Sequence, residues 1–202
     1  MLVATVLGAA GCAGDEPAAD PVAPTSSSSS SFSSSSVPAK SGSASPAAES
    51  PFGEGPVADG LEARNLRSVE SVTIPRGWIS DDIDSETSVG AFSPDYGFTE
   101  MVVFSAGREE VRSTRSAARR YLKVLGPSFT EVEHLDPVSV DGEELFHLRA
   151  KQMSLDVEVF GQAQGGYLTF FAFYFDSEIL PNGFQDETVA QVMRSVTFRA
   201  QG

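Results

Sequence analysis

From residue 68 onward the chain carries a strong pattern of apolar and polar positions. Ser68 to Ile74, S-V-E-S-V-T-I, alternates polar and apolar residues, the period-2 mark of a half-buried strand, and Pro75 with Gly77 ends it before Trp78. Glu86 to Phe92 and Phe98 to Ala106 predict two more strands. The centre of the second, Met101-Val102-Val103-Phe104, lacks alternation, which predicts cover on both of its faces. Helical spacing follows: Ala118, Tyr121, Leu122 and Leu125 share one face of a helix predicted over Ser113 to Leu125, which Ser113 or Thr114 can cap and Gly126-Pro127 stops. Phe129 to Phe175 returns to strands. Asp141-Gly142 and Gly165-Gly166 tolerate the positive φ of two-residue hairpin turns, whereas the break at Gln152-Met153-Ser154 lacks that signature. Only Thr169 interrupts the apolar run Tyr167 to Phe175, so this strand needs cover on both sides. Asp186 to Arg194 predicts a second helix with acids in its first turn and Arg194 in its last, matching the macrodipole, and Val196 to Arg199 a closing strand. The expected fold class is α+β: an α-β-α sandwich, a mostly antiparallel sheet covered by a helix on each face.

Upstream of residue 68 this pattern is lost. Ala13 to about Asn65 is Pro, Ala, Ser, Gly and acid, with serine runs at Ser26 to Ser31 and Ser33 to Ser36 around Phe32. Such a stretch buries too little apolar surface to offset its backbone entropy and is expected to be disordered. A flexible tether of about 50 residues spans roughly 40 Å r.m.s.. It serves equally as a plain spacer or as an O-glycosylated stalk.

The first eleven residues, M-L-V-A-T-V-L-G-A-A-G, form an apolar run ending in small residues, and Cys12 follows. The run is shorter than the roughly 20 residues a membrane span takes. It suits a signal-peptide core with a small-residue cleavage site. Ala9-Ala10-Gly11-Cys12 resembles the bacterial lipoprotein signal, whose lipobox ends in small residues before an invariant cysteine. Two departures are visible: Ala9 stands where that box usually opens with Leu, and no Lys or Arg precedes the run, as a truncated or misassigned start would leave it. The resemblance implies a signal peptide over residues 1–11 and lipidation of the Cys12 thiol, the side chain able to take a diacylglyceryl thioether. Several acyl chains hold a protein far more firmly than one. The alternative is a stray cysteine in a frayed end. The resulting division is 1–11 signal peptide, 12–67 lipidated cysteine and tether, and 68–202 globular domain.

Composition sharpens this division. The chain has 202 residues and a formal net charge of −14. Residues 1–60 carry one Lys and six acids, a net −5, and the remainder 13 Lys plus Arg against 22 acids, a net −9. About 140 residues suffice for one core and are too few for two ordinary domains. The acidic balance argues against charge-driven binding to nucleic acid or to an anionic bilayer. One cysteine excludes an intramolecular disulfide framework and any multi-cysteine zinc site.

Few residues carry candidate chemistry. With Cys12 lipidated, nucleophilic catalysis would need His134 or His147 as base and a Ser or Thr nucleophile, and no G-x-S-x-G elbow is present. His147 is expected on the strand face opposite Phe146 and Leu148, as a packing residue or beside a groove; His134 is expected at a surface loop end. The two are not at a standard zinc spacing. Asp82, Asp84 and Glu86 could converge on calcium, but the glycine and terminal Glu of a calcium loop are missing, so a solvated acidic loop is expected. Glu143 and Glu144 flank a turn beside Asp141 and make no convincing glycosidase pair. Arg115, Arg119 and Arg120 read as a solvated helix face. No catalytic, cofactor or metal residue is assigned; the assigned site residue is Cys12, for lipidation.

The order of elements is itself familiar. The runs V-E-S-V-T-I-P-R-G-W at Val69 to Trp78, V-x-V-D-G at Val138 to Gly142, G-Y-L-T-F-F-A-F at Gly166 to Phe173 and S-V-T-F at Ser195 to Phe198 resemble the PsbP-like fold. A lipidated cysteine and a low-complexity tether before that fold are similar to the layout of actinobacterial lipoproteins of the LpqN type. The resemblance covers roughly the last two thirds of the chain and implies accessory and binding roles without a shared catalytic set. The resulting expectation is a non-enzymatic module, anchored at the outer face of the cell membrane, that docks to another envelope protein or a glycan. The alternative is a carrier of a small apolar ligand or lipid; a hydrolase ranks behind both. Neither nucleic acid nor a cofactor is expected.

Overall fold

Three two-residue turns set the order of the main sheet. A computed structural model describes residues 51–107 and 113–200. Asp141 and Gly142 adopt φ of 50° and 82°, and Gly165 and Gly166 adopt 55° and 79°. Each pair turns the chain back on itself in a tight hairpin, as its sequence predicts. The first joins β6 (Thr130–Val140) to β7 (Glu143–Gln152), and the second joins β8 (Leu155–Gln164) to β9 (Tyr167–Phe175). Between β7 and β8, Met153 takes φ of 58° with its side chain 94% exposed, so a hairpin forms there without a glycine.

With β3 (Ile79–Asp81), β4 (Ser88–Phe92) and β5 (Glu100–Gly107), these strands make an antiparallel sheet in the order β3-β4-β5-β9-β8-β7-β6. Helix α1 (Thr114–Leu125) packs over β7 and β8 on one face. Helix α2 (Phe184–Ser195) lies on the side of the other core. The expected fold class is therefore met. A second sheet adds to it: β1 (Glu62–Ala63), β2 (Val69–Thr73) and β10 (Thr197–Phe198) pair in the order β1-β2-β10.

The apolar run of β9 serves both cores. Phe171, Phe173 and Phe175 join Phe160, Val189, Val192 and Met193 on the α2 side, while Leu168 and Ala172 join Ala117, Ala118, Tyr121 and Phe146 on the α1 side. Gly161 makes room for this packing, since a Cβ there would fall 2.6 Å from the Phe146 ring. β5 behaves differently from its expectation. Met101 and Val103 are buried, whereas Val102 and Phe104 are only half covered, because α1 sits over β7 and β8 and leaves this end of the sheet without a helix.

The N-terminal boundary also moves. A tether running to residue 67 is corrected by the packing of residues 51–67: Ala58, Ala63 and Leu66 are buried, and β1 pairs with β2. The physical reason is long-range. Arg194 of α2 donates from Nε to the carbonyls of Phe52 (3.0 Å) and Gly53 (3.1 Å) and from Nη1 to that of Pro56 (2.9 Å), while the Phe52 ring meets Phe160 edge-on at 5.5 Å. The signal peptide of residues 1–11, Cys12 and the tether as far as residue 50 lie outside the described residues.

Candidate functional site

His147 lies where the alternation of β7 predicts, on the face away from Phe146 and Leu148. Its ring stacks on Phe160 at 4.3 Å between centroids, and Nε2 lies 2.6 Å from Glu158 Oε1. Arg149 reaches the same carboxylate oxygen at 3.4 Å. Register explains the cluster, because Arg149 lies opposite Glu158, and His147 opposite Phe160, across the β7–β8 ladder. His147 and Glu158 side chains are each 12% exposed. Two adjoining hollows of about 230 and 360 Å³ open beside them, sharing Arg149, Glu158 and Asp186 at the start of α2. Among the described residues no Ser or Thr hydroxyl is hydrogen-bonded to the His147 ring. The arrangement is an imidazole held by a carboxylate.

The larger groove lies between α1 and the β6–β7 edge, with a volume of about 680 Å³, and His147 is among the residues that line it. Its floor is Ala118, Leu135, Pro137 and Phe146, and Arg115, Arg119 and His134 stand along it with Glu144. The Ser113 side chain accepts from the Ser116 amide at 3.2 Å while the Ser116 hydroxyl accepts from the Ser113 amide at 3.0 Å, a reciprocal cap that fixes the start of α1. Thr114 then donates to the Glu144 carbonyl at 3.3 Å and ties the helix to β7. His134, expected at a loop end, is instead a strand residue of β6 paired with Leu148. Arg115 and Arg119 are solvated, as expected, but they also border a cavity, which helical periodicity alone does not show. The signal in the sequence was the first turn of α1, which holds no acid.

Several of the remaining candidates have neighbours of their own. Asp84 receives the Asn65 amide through its backbone carbonyl at 3.4 Å, and Glu86 faces Arg67 at 3.5 Å. Glu143 accepts from Gln164 at 2.5 Å, and Asp141 from the amide of Phe198 at 2.8 Å. Burial pushes the hydroxyls of Tyr121 and Tyr174 above the ordinary tyrosine range. Among the described residues no cluster of three or more His, Cys, Asp or Glu could hold a metal ion.

Neither a family model nor a curated protein matches this chain. Solved structures do. The chain is similar to the cyanobacterial PsbP protein CyanoP of Synechocystis, at 12% identity and a TM-score of 0.45, over 70% of this chain and 98% of that one. It is also similar to a protein of Bacteroides thetaiotaomicron, at 15% identity and a TM-score of 0.43, over 65% of this chain and 45% of that one. These are similarities of backbone arrangement. No ligand, partner or activity is carried over from them. Among the described residues no helix is long and apolar enough to cross a membrane.

Proposed function

We propose that this chain is an exported envelope lipoprotein of the LpqN type, anchored through Cys12, whose domain is a non-enzymatic binding module. The observation that carries the binding role is the groove of about 680 Å³ between α1 and the β6–β7 edge. Its volume and its apolar floor under a few polar groups are those of ligand sites. The anchoring half of the proposal is supported by the small-residue run ending at Cys12.

Two occupants remain in play, a segment of another envelope component and a small apolar ligand, and the half-enclosed floor favours the second. Native mass spectrometry of protein purified from its own host, paired with photo-crosslinking from Leu135, separates them. Co-purifying small molecules support the carrier role, and a cross-link to one specific envelope protein supports docking. Neither result would count against the module. A Cys12→Ser variant that stays equally membrane-bound would remove the anchor. Turnover of an ester, phosphate or glycan that is lost in His147→Ala would replace the module with an enzyme.

A further inference from the structure

We infer that the groove beneath α1 reads negative charge: it takes a single amphipathic anion, a phosphate or carboxylate bearing a hydrocarbon chain. The inference rests on the binding-module reading and specifies its ligand class. Three observations carry it.

The first is a surplus of unpaired cations. Among the described residues every cation outside α1 is engaged: Arg64, Arg67, Arg76, Arg149 and Lys151 face carboxylates, and Arg194 and Arg199 donate to backbone carbonyls. Among the described residues Arg115, Arg119, Arg120 and Lys123 of α1 have no such partner, in a domain whose acids outnumber its cations, and of the four it is Arg115 and Arg119 that border the groove. In so acidic a chain, guanidinium groups without carboxylates mark a place where the anion comes from outside.

The second is that the start of the helix works against its dipole, while Lys123 in the last turn agrees with it. α1 has no acid in its first turn and carries Arg115 there, whereas α2 opens with Asp186 and Glu187 and ends with Arg194. A cation at a helix N-terminus is unfavourable until an anion sits beside it. A local rule broken with no compensating acid in the first turn is the kind of departure that accompanies a site.

The third is geometry. Arg115 and Arg119 are four residues apart, hence neighbours on one helix face, and both border the cavity above the Ala118, Leu135 and Phe146 floor. Two planar guanidinium forks can grip phosphate or carboxylate oxygens in pairs. The hydrocarbon then covers the apolar floor. Glu144 at the margin is the one carboxylate among the lining residues, against two arginines; its backbone carbonyl accepts from Thr114.

The test is titration calorimetry of the full chain with decyl phosphate, decyl maltoside and inorganic phosphate, repeated on Arg115→Gln/Arg119→Gln. Both substitutions are at exposed positions, and an unchanged unfolding midpoint establishes that the variant folds. Decyl phosphate should bind, and the double variant should weaken it by about tenfold or more, the scale of two lost charge-assisted contacts. The maltoside and the bare phosphate should each bind at least about tenfold more weakly, without responding to the substitutions. If the maltoside binds as well as decyl phosphate, the anion assignment falls and the binding module stands. Bare phosphate matching decyl phosphate would remove the role of the apolar floor and with it the amphipathic ligand. If none of the three binds, the assignment also falls, while the module still answers to the cross-linking experiment. Pelleting with phosphatidylglycerol vesicles that depends on the two arginines would replace the single amphiphile with a bilayer surface.

Discussion

The Asp141 carboxylate accepts a 2.8 Å hydrogen bond from the backbone amide of Phe198, so the tip of the β6–β7 hairpin holds the last strand of the domain. Asp141 also occupies a left-handed conformation, φ 50°, as the turn requires. One residue therefore links a local turn to a contact 57 positions away. Replacing it tests both roles. Asp141→Ala is expected to lower stability by about 2 kcal/mol through the lost acceptor and the left-handed Cβ penalty. Asp141→Asn, which tolerates that conformation and keeps an oxygen acceptor, is expected to lose less than half as much. Urea denaturation of the pair checks it; equal losses would show that the carboxylate bond contributes nothing.

Gly161 is the second test. A Cβ at this position would lie 2.6 Å from the Phe146 ring and 2.8 Å from the Thr169 carbonyl. The ring could shift, but the neighbouring strand's backbone cannot without breaking its ladder. Gly161→Ala is expected to destabilise by about 3 kcal/mol. A neutral result by thermal denaturation would mean that Phe146 is not seated against β8.

Arg194 is the third. Its guanidinium donates to carbonyls at Phe52, Gly53 and Pro56, none of which belongs to a strand ladder. Arg194→Met keeps the packing stem and removes the donors. Faster amide exchange confined to residues 51–58 is expected, with a global loss of about 1–2 kcal/mol. Unchanged exchange there would show that Phe52 against Phe160 suffices to hold the segment.

Glu100 gives a pH test. Partial burial raises its carboxyl above the ordinary range. The folded state thus holds its proton more tightly than the unfolded chain does. That contribution is absent at low pH, where both states are protonated, and grows as destabilisation while pH rises from the unfolded value, about 4.3, through the raised folded one. Glu100→Gln should therefore stabilise the protein at pH 7 and become neutral near pH 3. Unfolding midpoints across that range check the sign, and a benefit that persisted at pH 3 would exclude this cause.

Period and turn chemistry made most of the sheet legible. Asp141-Gly142 and Gly165-Gly166 announced their hairpins because they tolerate positive φ; Met153 did not, because the same conformation is imposed there by the pairing of the flanking strands. The first helix was readable from spacing, caps and a stop signal, and the second from the charges at its two ends. Residues 51–67 were not. They join the domain through carbonyls gripped by Arg194 and through the pairing of β1 with β2, contacts that leave no periodic trace. The His147–Glu158 pair needed the β7–β8 register, which a single strand's pattern does not contain. The arginines of α1 were visible from the start, but their meaning depended on which strands the helix faces.

The sheet ends in β6, eleven residues long and hydrogen-bonded on one side only within the sheet. Such an edge could template another chain, yet Glu131, Glu133 and Asp136 project from it, Pro137 interrupts its donors, and its register against β7 slips twice. Copies of the domain crowded side by side would repel rather than zip together along this strand. The same irregular, charged border that disfavours edge-to-edge pairing also flanks the α1 groove.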